Sequence, residues 1–323
     1  MAEMKRTRIS EHKIAKAIRN KSGILIGLLI LGTFFAIKAP NFLSQKNLLN
    51  VLLQSSISAI VALGMTVVIT GGGIDLSVGS VMAISSIVAS RLMAGGMYMA
   101  PAIAIGILIG GCFGVLNGFI ISRTTIAPFI VTLGMQSIAR GIVYILCDGV
   151  PITKLPTKFN FFGGGRIAGV VPVPVIFMLI FVIIAFNILH RSRFGRHVFA
   201  VGSNENTAYL SGVDVTRIKQ TMYILCSIFA AIAGIIYASR VISGQPNAGE
   251  GYETDAIAAT VIGGTSMAGG QGSIIGTVLG ALIMGILSNG LNMLSINYYY
   301  QKVTIGIVII GAVYLDSIRN KKN

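Results

Sequence analysis

Charge is what this chain has least of. Asp, Glu, Lys and Arg make up 11% of its 323 residues, where an ordinary soluble domain carries about 25%. A conventional water-soluble globule is thereby excluded. Tryptophan is absent, and the three cysteines, Cys112, Cys147 and Cys226, all fall inside apolar stretches. With no Cys-x-x-Cys and no His/Cys cluster, neither a disulfide framework nor a metal site is indicated. His12, His190 and His197 have no partner at metal or catalytic spacing. There is no Gly-x-x-x-x-Gly-Lys-Ser/Thr, nor any Gly-Lys dipeptide, so the chain has no ordinary phosphate-cradling loop of its own. Gly270-Gln-Gly-Ser-Ile-Ile-Gly276 has one residue too many for a dinucleotide turn, and no soluble strand-turn-helix unit surrounds it. Nothing supports an enzyme active site.

What the chain has is apolar length. Hydrophobic residues make up 54% of it, and stretches of about twenty mostly apolar residues, enough to cross a bilayer, recur along it. The class this implies is an all-α polytopic membrane protein. Spans are expected near 23–38, 51–70, 77–93, 100–122, 125–147, 170–190, 220–240, 254–268, 272–293 and 300–316, ten in all. They form one membrane domain over 23–316, between tails at 1–22 and 317–323. The first apolar stretch has no small-x-small cleavage pattern, so it reads as a retained helix rather than a signal peptide.

The net charge of +15 is distributed as membrane topology requires, not as nucleic acid binding requires. Seven of the 25 Lys and Arg precede Gly23, five lie between Arg191 and Lys219, and three close the chain. Basic residues stay on the cytoplasmic side. Both tails and the loop 191–219 are therefore expected inside, and the loops 149–169 and 241–252 outside. No basic patch with interleaved aromatics suggests nucleic acid.

Two tracts break the apolar pattern. One is Gly71-Gly-Gly-Ile-Asp-Leu-Ser-Val-Gly79. The other lies within Ala256-Ile-Ala-Ala-Thr-Val-Ile-Gly-Gly-Thr-Ser-Met-Ala-Gly-Gly-Gln-Gly-Ser273. Irregular backbone at membrane depth survives where protein covers it or water reaches it, and glycine-interrupted segments point to where a transporter handles its substrate. Gly73, Gly79, Gly263, Gly264, Gly269 and Gly270 are the candidate gate or broken-helix glycines. The second, fifth and eighth spans are the ones to be broken or re-entrant. Gly106, Gly110, Gly114 and Gly118, and likewise Gly272, Gly276 and Gly280, recur every four residues. At helical pitch each set makes a groove for a neighbouring helix. Ser77-Val-Gly-Ser80 resembles Gly270-Gln-Gly-Ser273 and Asn117-Gly118 resembles Asn289-Gly290, but the two offsets, 193 and 172, disagree, so a two-fold repeat is not established.

Ionisable groups at membrane depth are costly and face protein or water. Asp75 is expected to cap its glycine turn or to line a pathway. Arg140 is expected to pair with Asp148 or a carbonyl, or to line the pathway. Gln54, Thr66, Asn117, Gln136, Asn289 and Asn292 offer neutral donors and acceptors that suit a hydroxyl-rich solute. Each alone is equally an interhelical hydrogen bond. After the sixth span, Gly202-Ser-Asn204 can turn and cap a short helix over Glu205 to Leu210, ended by Gly212. Such an element is either a solvated connector or a docking point for a soluble partner.

These residues also carry a resemblance. Gly73-Ile-Asp-Leu-Ser-Val-Gly79, Phe194-Gly-Arg196 with Ala200-Val-Gly-Ser-Asn204 and Ser211-Gly212, Ile262-Gly-Gly-Thr-Ser266 with Gly269-Gly-Gln-Gly-Ser273, and Asn289-Gly-Leu-Asn292 followed by Gln301-Lys-Val are together similar to the ribose-type permease subunits of sugar ABC importers. The likeness runs from about Leu43 to Asp316. It implies a bacterial plasma-membrane permease that pairs with a second copy of itself, sits in membrane lipid, and binds no nucleic acid. It also implies a separate cytoplasmic subunit that binds ATP and Mg, and an extracytoplasmic sugar-binding protein. The chain itself would hold no cofactor. The family's contact to the ATPase maps onto Gly202, Asn204, Ala208 and Gly212, and Thr207 stands where the family commonly shows a second alanine. An ion-coupled secondary transporter is the alternative, against which the scarcity of intramembrane carboxylates speaks.

Overall fold

A computed structural model describes residues 23–321. The tail expected over 1–22 lies outside the described residues, as do 322–323. The elements follow in chain order: α1 (Gly23–Lys38), α2 (Gln45–Thr70), α3 (Val78–Ala94), α4 (Met99–Arg123), α5 (Pro128–Cys147), the short α6 (Phe161–Gly164), α7 (Val173–Phe186), α8 (Arg193–Ser203), α9 (Glu205–Leu210), α10 (Val215–Val241), α11 (Tyr252–Ile262), α12 (Ile274–Met293) and α13 (Tyr298–Lys321). One two-stranded ribbon pairs β1 (Arg166–Ile167) with β2 (Val171–Pro172). The protein is all-α.

Each of the ten expected spans contains a helix, but seven described helices are long and apolar enough to cross a membrane. These are α2, α4, α5, α7 with the π-helical turn that extends it to Arg191, α10, α12 and α13. The apolar α1 and α3 are shorter. The eighth expected span, 254–268, is an 11-residue helix that ends at Ile262. Of the spans suspected of being broken, α5 is continuous, and α2 is continuous to Thr70, with its break in the turn after it. Helix α13 runs past 316, through residues expected in the tail.

Helix α10 is the hub, packed against α2, α3 and α4. Small residues set the spacing. A Cβ on Gly106 would come within 2.7 Å of the Ser85 carbonyl. One on Gly114 would lie 2.8 Å from Ile224 Cα, and one on Gly118 2.7 Å from Gln220 Cα. The α4 stripe is thus the groove that receives α3 and α10, and interfaces of this kind let backbones approach closely. On the other side of α10, Gly64 of α2 leaves 2.9 Å between its missing Cβ and Cys226 Cα. In the second glycine set, Gly276 and Gly280 press on Gly263 and Ala259 of α11. Gly272 precedes α12 instead, whose N-cap is Ser273.

Two helix–glycine turn–helix units, α2 to α3 and α11 to α12, lie side by side. They meet through hydroxyls. Thr66 Oγ1 is 2.7 Å from Thr277 Oγ1 and 3.5 Å from Thr260 Oγ1, all three buried, with Thr66 and Thr260 194 residues apart.

Candidate functional site

Three glycine-bearing segments converge at one end of the bundle. Gly270 N donates to Thr70 O at 2.8 Å, which joins the turn after α11 to the end of α2. Gly202, one residue before the end of α8, sits against both. A Cβ there would collide with the Thr70 carbonyl and lie 2.7 Å from Gly270 N. Gly269, with φ +82, lies against Gly202 O and Gly72 Cα, and a Cβ on Gly272 would strike the Thr70 hydroxyl. Helix α8 is therefore seated on both glycine turns at once. A cavity of about 470 Å³ opens beside the junction, lined by Gly71 to Gly73, Gly202 to Glu205, Lys219 and Tyr223 among others.

The segment that carries Gly202 is built as its caps require. Ser192 Oγ accepts from Gly195 N at 3.0 Å to start α8. Asn204 Oδ1 accepts from Thr207 N at 2.8 Å to start α9. Gly212, at φ +82, ends α9 in the left-handed conformation, and Val213 N returns to Ala208 O. Lys219 Nζ meets both oxygens of Glu205 at 2.7 Å and ties α9 to α10. The sequence reading anticipates α9 residue for residue but leaves 193–203 as loop. The missed signal is apolar spacing at Phe194, Val198 and Val201 behind a Ser192 cap. Of the four residues mapped to the ATPase, Ala208 is 4% exposed and Gly202 faces the glycine turns, whereas Asn204 and Gly212 are exposed. The outward face of α9 presents Tyr209 and Leu210, 70% and 84% exposed.

A second irregular region lies inside the bundle. Gly234 of α10 packs on Met82 of α3, seven residues before α10 ends. Gly79 lies almost a turn nearer the other end. At 1.5 Å per residue it is about 15 Å below the end of α10. The chain reaches that depth twice. Helix α3 begins there, and the segment after α10 descends to it. Gly244 packs on Ser90, and Gly249 packs on Gly79. Residues 244–249 pass down beside α3 through consecutive turns, with Ala248 N donating to Gln245 O at 3.1 Å and Glu250 N to Asn247 O at 3.3 Å, and with Gly244, Pro246, Ala248 and Gly249 buried. The segment expected as an outer loop, 241–252, thus packs down along α3 and is followed by the 11-residue α11. The reason is steric, because Gly79 and Gly249 lack the side chains that would hold the two segments apart.

Arg140 supplies donors to two carbonyls of this turn segment. Its Nη1 donates to Pro246 O at 2.6 Å and Ala248 O at 2.9 Å. Asp148, the other partner the sequence offers, instead caps α5 in the left-handed conformation at φ 51. One turn from Arg140, Gln136 Nε2 reaches Glu253 Oε1 at 3.5 Å. Gly251 N donates to the same oxygen at 3.3 Å.

The other polar candidates are dispersed. Asp75 Oδ1 accepts from Ser77 N at 2.9 Å and Ser77 Oγ at 2.6 Å, closing the first glycine turn, and Asn117 Nδ2 donates to Ser77 Oγ at 2.9 Å. All three residues are fully buried. Asn289 exchanges amide hydrogen bonds with Asn47 at 3.0 and 3.1 Å, linking α12 to α2. Asn292 is exposed at the end of α12, and Gln54 is half-buried on α2. Among the pathway candidates, Gln136 and Arg140 share a neighbourhood, as do Asp75 and Asn117. Thr66, Asn289, Asn292 and Gln54 belong to neither. Glu253 is the residue that sequence reading passes over, because it stands at the edge of the expected span 254–268, just after the loop 241–252.

Comparison with known proteins agrees with this architecture. The family model of the permease component of branched-chain amino acid transport systems matches residues 47–313. The chain belongs to this permease family. The ribose import permease protein of Bacillus subtilis strain 168 is 46% identical over 301 residues, covering 93% of each chain. The ribose import permease protein of Escherichia coli K12 is 44% identical over 302 residues, 92% of this chain and 93% of the relative. The D-allose transport system permease protein of Escherichia coli K12 is 39% identical over 306 residues, 94% and 93%. No solved structure matches. The resemblance to ribose-type permeases carried by the motifs is borne out.

Proposed function

We propose that this chain is the membrane-spanning permease subunit of an ATP-driven importer that moves a monosaccharide, ribose or a close relative, across the bacterial plasma membrane. The observation that carries the reading is near-full-length identity of 46% to a ribose import permease. The family description speaks of branched-chain amino acids. The sugar reading rests on the closer relatives and on the uncharged amides and hydroxyls that line the interior. ABC importer permeases work with ATP-binding and substrate-binding partners. ATP and Mg belong to the former, and this chain holds no cofactor.

All ten apolar segments lie in the membrane, with α1, α3 and α11 as short or half-length members and both tails cytoplasmic. Two copies pair. The ATPase docks on α9, where Tyr209 and Leu210 project and Asn204 and Gly212 set the ends. Gly202 and Ala208 face inward and relay the docking to the glycine turns at Gly73, Gly263, Gly264, Gly269 and Gly270. ATP binding then opens and closes the pathway past Gly79, Gln136 and Arg140. Asp75 and Asn117 brace the first turn, and Thr66 and Asn289 hold helices together. Gln54 and Asn292 are retained as lining candidates.

Uptake of radiolabelled pentoses and hexoses into proteoliposomes tests this. The vesicles hold the chain with or without its ATPase and binding protein, with ATP inside or omitted. Uptake of one sugar that needs both partners and ATP is expected. Uptake by the chain alone, abolished by an uncoupler, would replace the reading with a secondary carrier.

A further inference from the structure

We infer that Glu253, together with Gln136, forms a hydroxyl-binding waypoint for the transported solute at the depth where α3 and α11 begin. The inference rests on the importer reading above and names a contact that reading leaves open.

Gln136 Nε2 and Gly251 N both address one oxygen of the Glu253 carboxylate, Oε1. The other, Oε2, is buried and has no hydrogen-bond donor. A buried carboxylate oxygen left without a donor is expensive. Its surroundings offset part of that cost. Helices α3 and α11 both start here, and neither N-terminus has a side-chain cap. Each presents about half a positive charge and unsatisfied N–H groups. Arg140, on α5, adds a full charge beside the turn segment 246–248. The half-buried carboxylate is therefore held in place, with its Oε2 shielded and one donor short.

Room for Oε2 exists because residue 79 is glycine. A Cβ there would collide with this oxygen and with the Gly249 carbonyl. A ligand hydroxyl supplies the missing donor, and the Gln136 amide can both give and take a second hydrogen bond. The pair discriminates by charge as well. Glu253 repels anions, while Arg140 and Lys302, whose Nζ lies beside Gly251, disfavour cations. The chemistry left is that of a neutral, polyhydroxylated solute. Arg140 acts as a positioning residue, because both its bonds go to backbone carbonyls of the turn segment.

The test uses the complete importer in proteoliposomes, with the sugar the wild type transports and its monodeoxy analogues. Each analogue's affinity for the binding protein is measured separately, and uptake is compared at equal occupancy. Glu253→Gln is expected to slow uptake of the parent sugar by about tenfold or more, the worth of a charged hydrogen bond. It should slow uptake of one deoxy analogue hardly at all, because that analogue lacks the hydroxyl concerned. Gln136→Ala is expected to give the same selective pattern and serves if Glu253→Gln does not assemble. An equal loss across parent and all analogues in the variant that assembles would make the pair structural and overturn the inference. Wild-type uptake without ATP or partners would overturn the importer reading instead, so the two failures are distinguishable.

Discussion

Replacing Gly202 by alanine should separate ATP hydrolysis from transport. The added methyl would overlap the Thr70 carbonyl and lie 2.7 Å from Gly270 N. Both are backbone atoms, so no rotamer change relieves the clash, and α8 must back away from the glycine turns. Overpacking of this sort costs about 1–3 kcal/mol. The Gly270 N to Thr70 O bond that bridges the turns would be strained or lost, for about 1 kcal/mol more. A total of about 2–4 kcal/mol is less than the stability of most domains, about 5–15 kcal/mol, so the protein should still fold and insert. Applied to a two-state junction, even 2 kcal/mol reduces the seated population about 30-fold, at about 1.4 kcal/mol per factor of ten. The expected result is ATPase activity near wild type with uptake per ATP lowered at least tenfold, both measured on the same proteoliposomes. Gly111→Ala is the control, since a Cβ there meets nothing closer than Ile228 Cγ1 at 3.6 Å. A Gly202→Ala importer with wild-type uptake per ATP would refute the idea that this junction transmits the docking event.

Arg140→Ala leaves the Pro246 and Ala248 carbonyls without their donor, at about 1–3 kcal/mol for each buried group. Thermal unfolding of the purified chain in detergent should fall clearly, and Arg140→Lys should recover part of the loss, because one ammonium can still reach a carbonyl. Asn204→Ala removes the cap on Thr207 N and should weaken α9 by about 1 kcal/mol. Binding of the ATPase subunit, measured by co-purification or surface capture, should weaken while membrane insertion stays normal. Asn47→Ala and Asn289→Ala should each destabilise the chain, and the double variant should cost less than their sum. A coupling of about 0.6–1.7 kcal/mol is expected for a hydrogen-bonded pair between membrane helices. Strict additivity would show that the reciprocal amide bonds contribute nothing measurable.

Much of the framework was legible in the sequence because it follows from short-range rules. Apolar length located a helix in every expected span, and Asn204 and Gly212 delimited α9 because caps act over one turn. Glycines at every fourth residue announced the α4 groove, since helical pitch alone puts them on one face. The resemblance added what pitch and capping do not supply, namely a transport role and a partner on the cytoplasmic side. It carried Gly202 and Ala208 over as docking residues, whereas their packing turns them toward the permease itself.

What stayed hidden depends on long-range approach. Residues 241–252 read as an ordinary outer connection because polar and turn-forming residues, Gln245, Pro246, Asn247 and Glu250, dominate them. Their descent is decided by Gly79, some 170 residues earlier, and by an arginine on a third helix that pays for the buried carbonyls. No local window contains all three. Glu253 was hidden for the same reason, since its significance is its depth, and that depth is set by where α3 and α11 begin. The same reasoning explains the placement of the breaks. A continuous α11 would satisfy its own backbone and leave nothing for Arg140 to do. A half-length helix preceded by a run of turns instead exposes the Pro246 and Ala248 carbonyls to Arg140 and the Gly251 amide to Glu253. Different glycines serve the two ends, Gly79 and Gly249 at the descent and Gly202, Gly269 and Gly270 at the seat of α8. The turn at Gly269 and Gly270 and the 11 residues of α11 connect the seat of α8 to the polar groups beside Glu253.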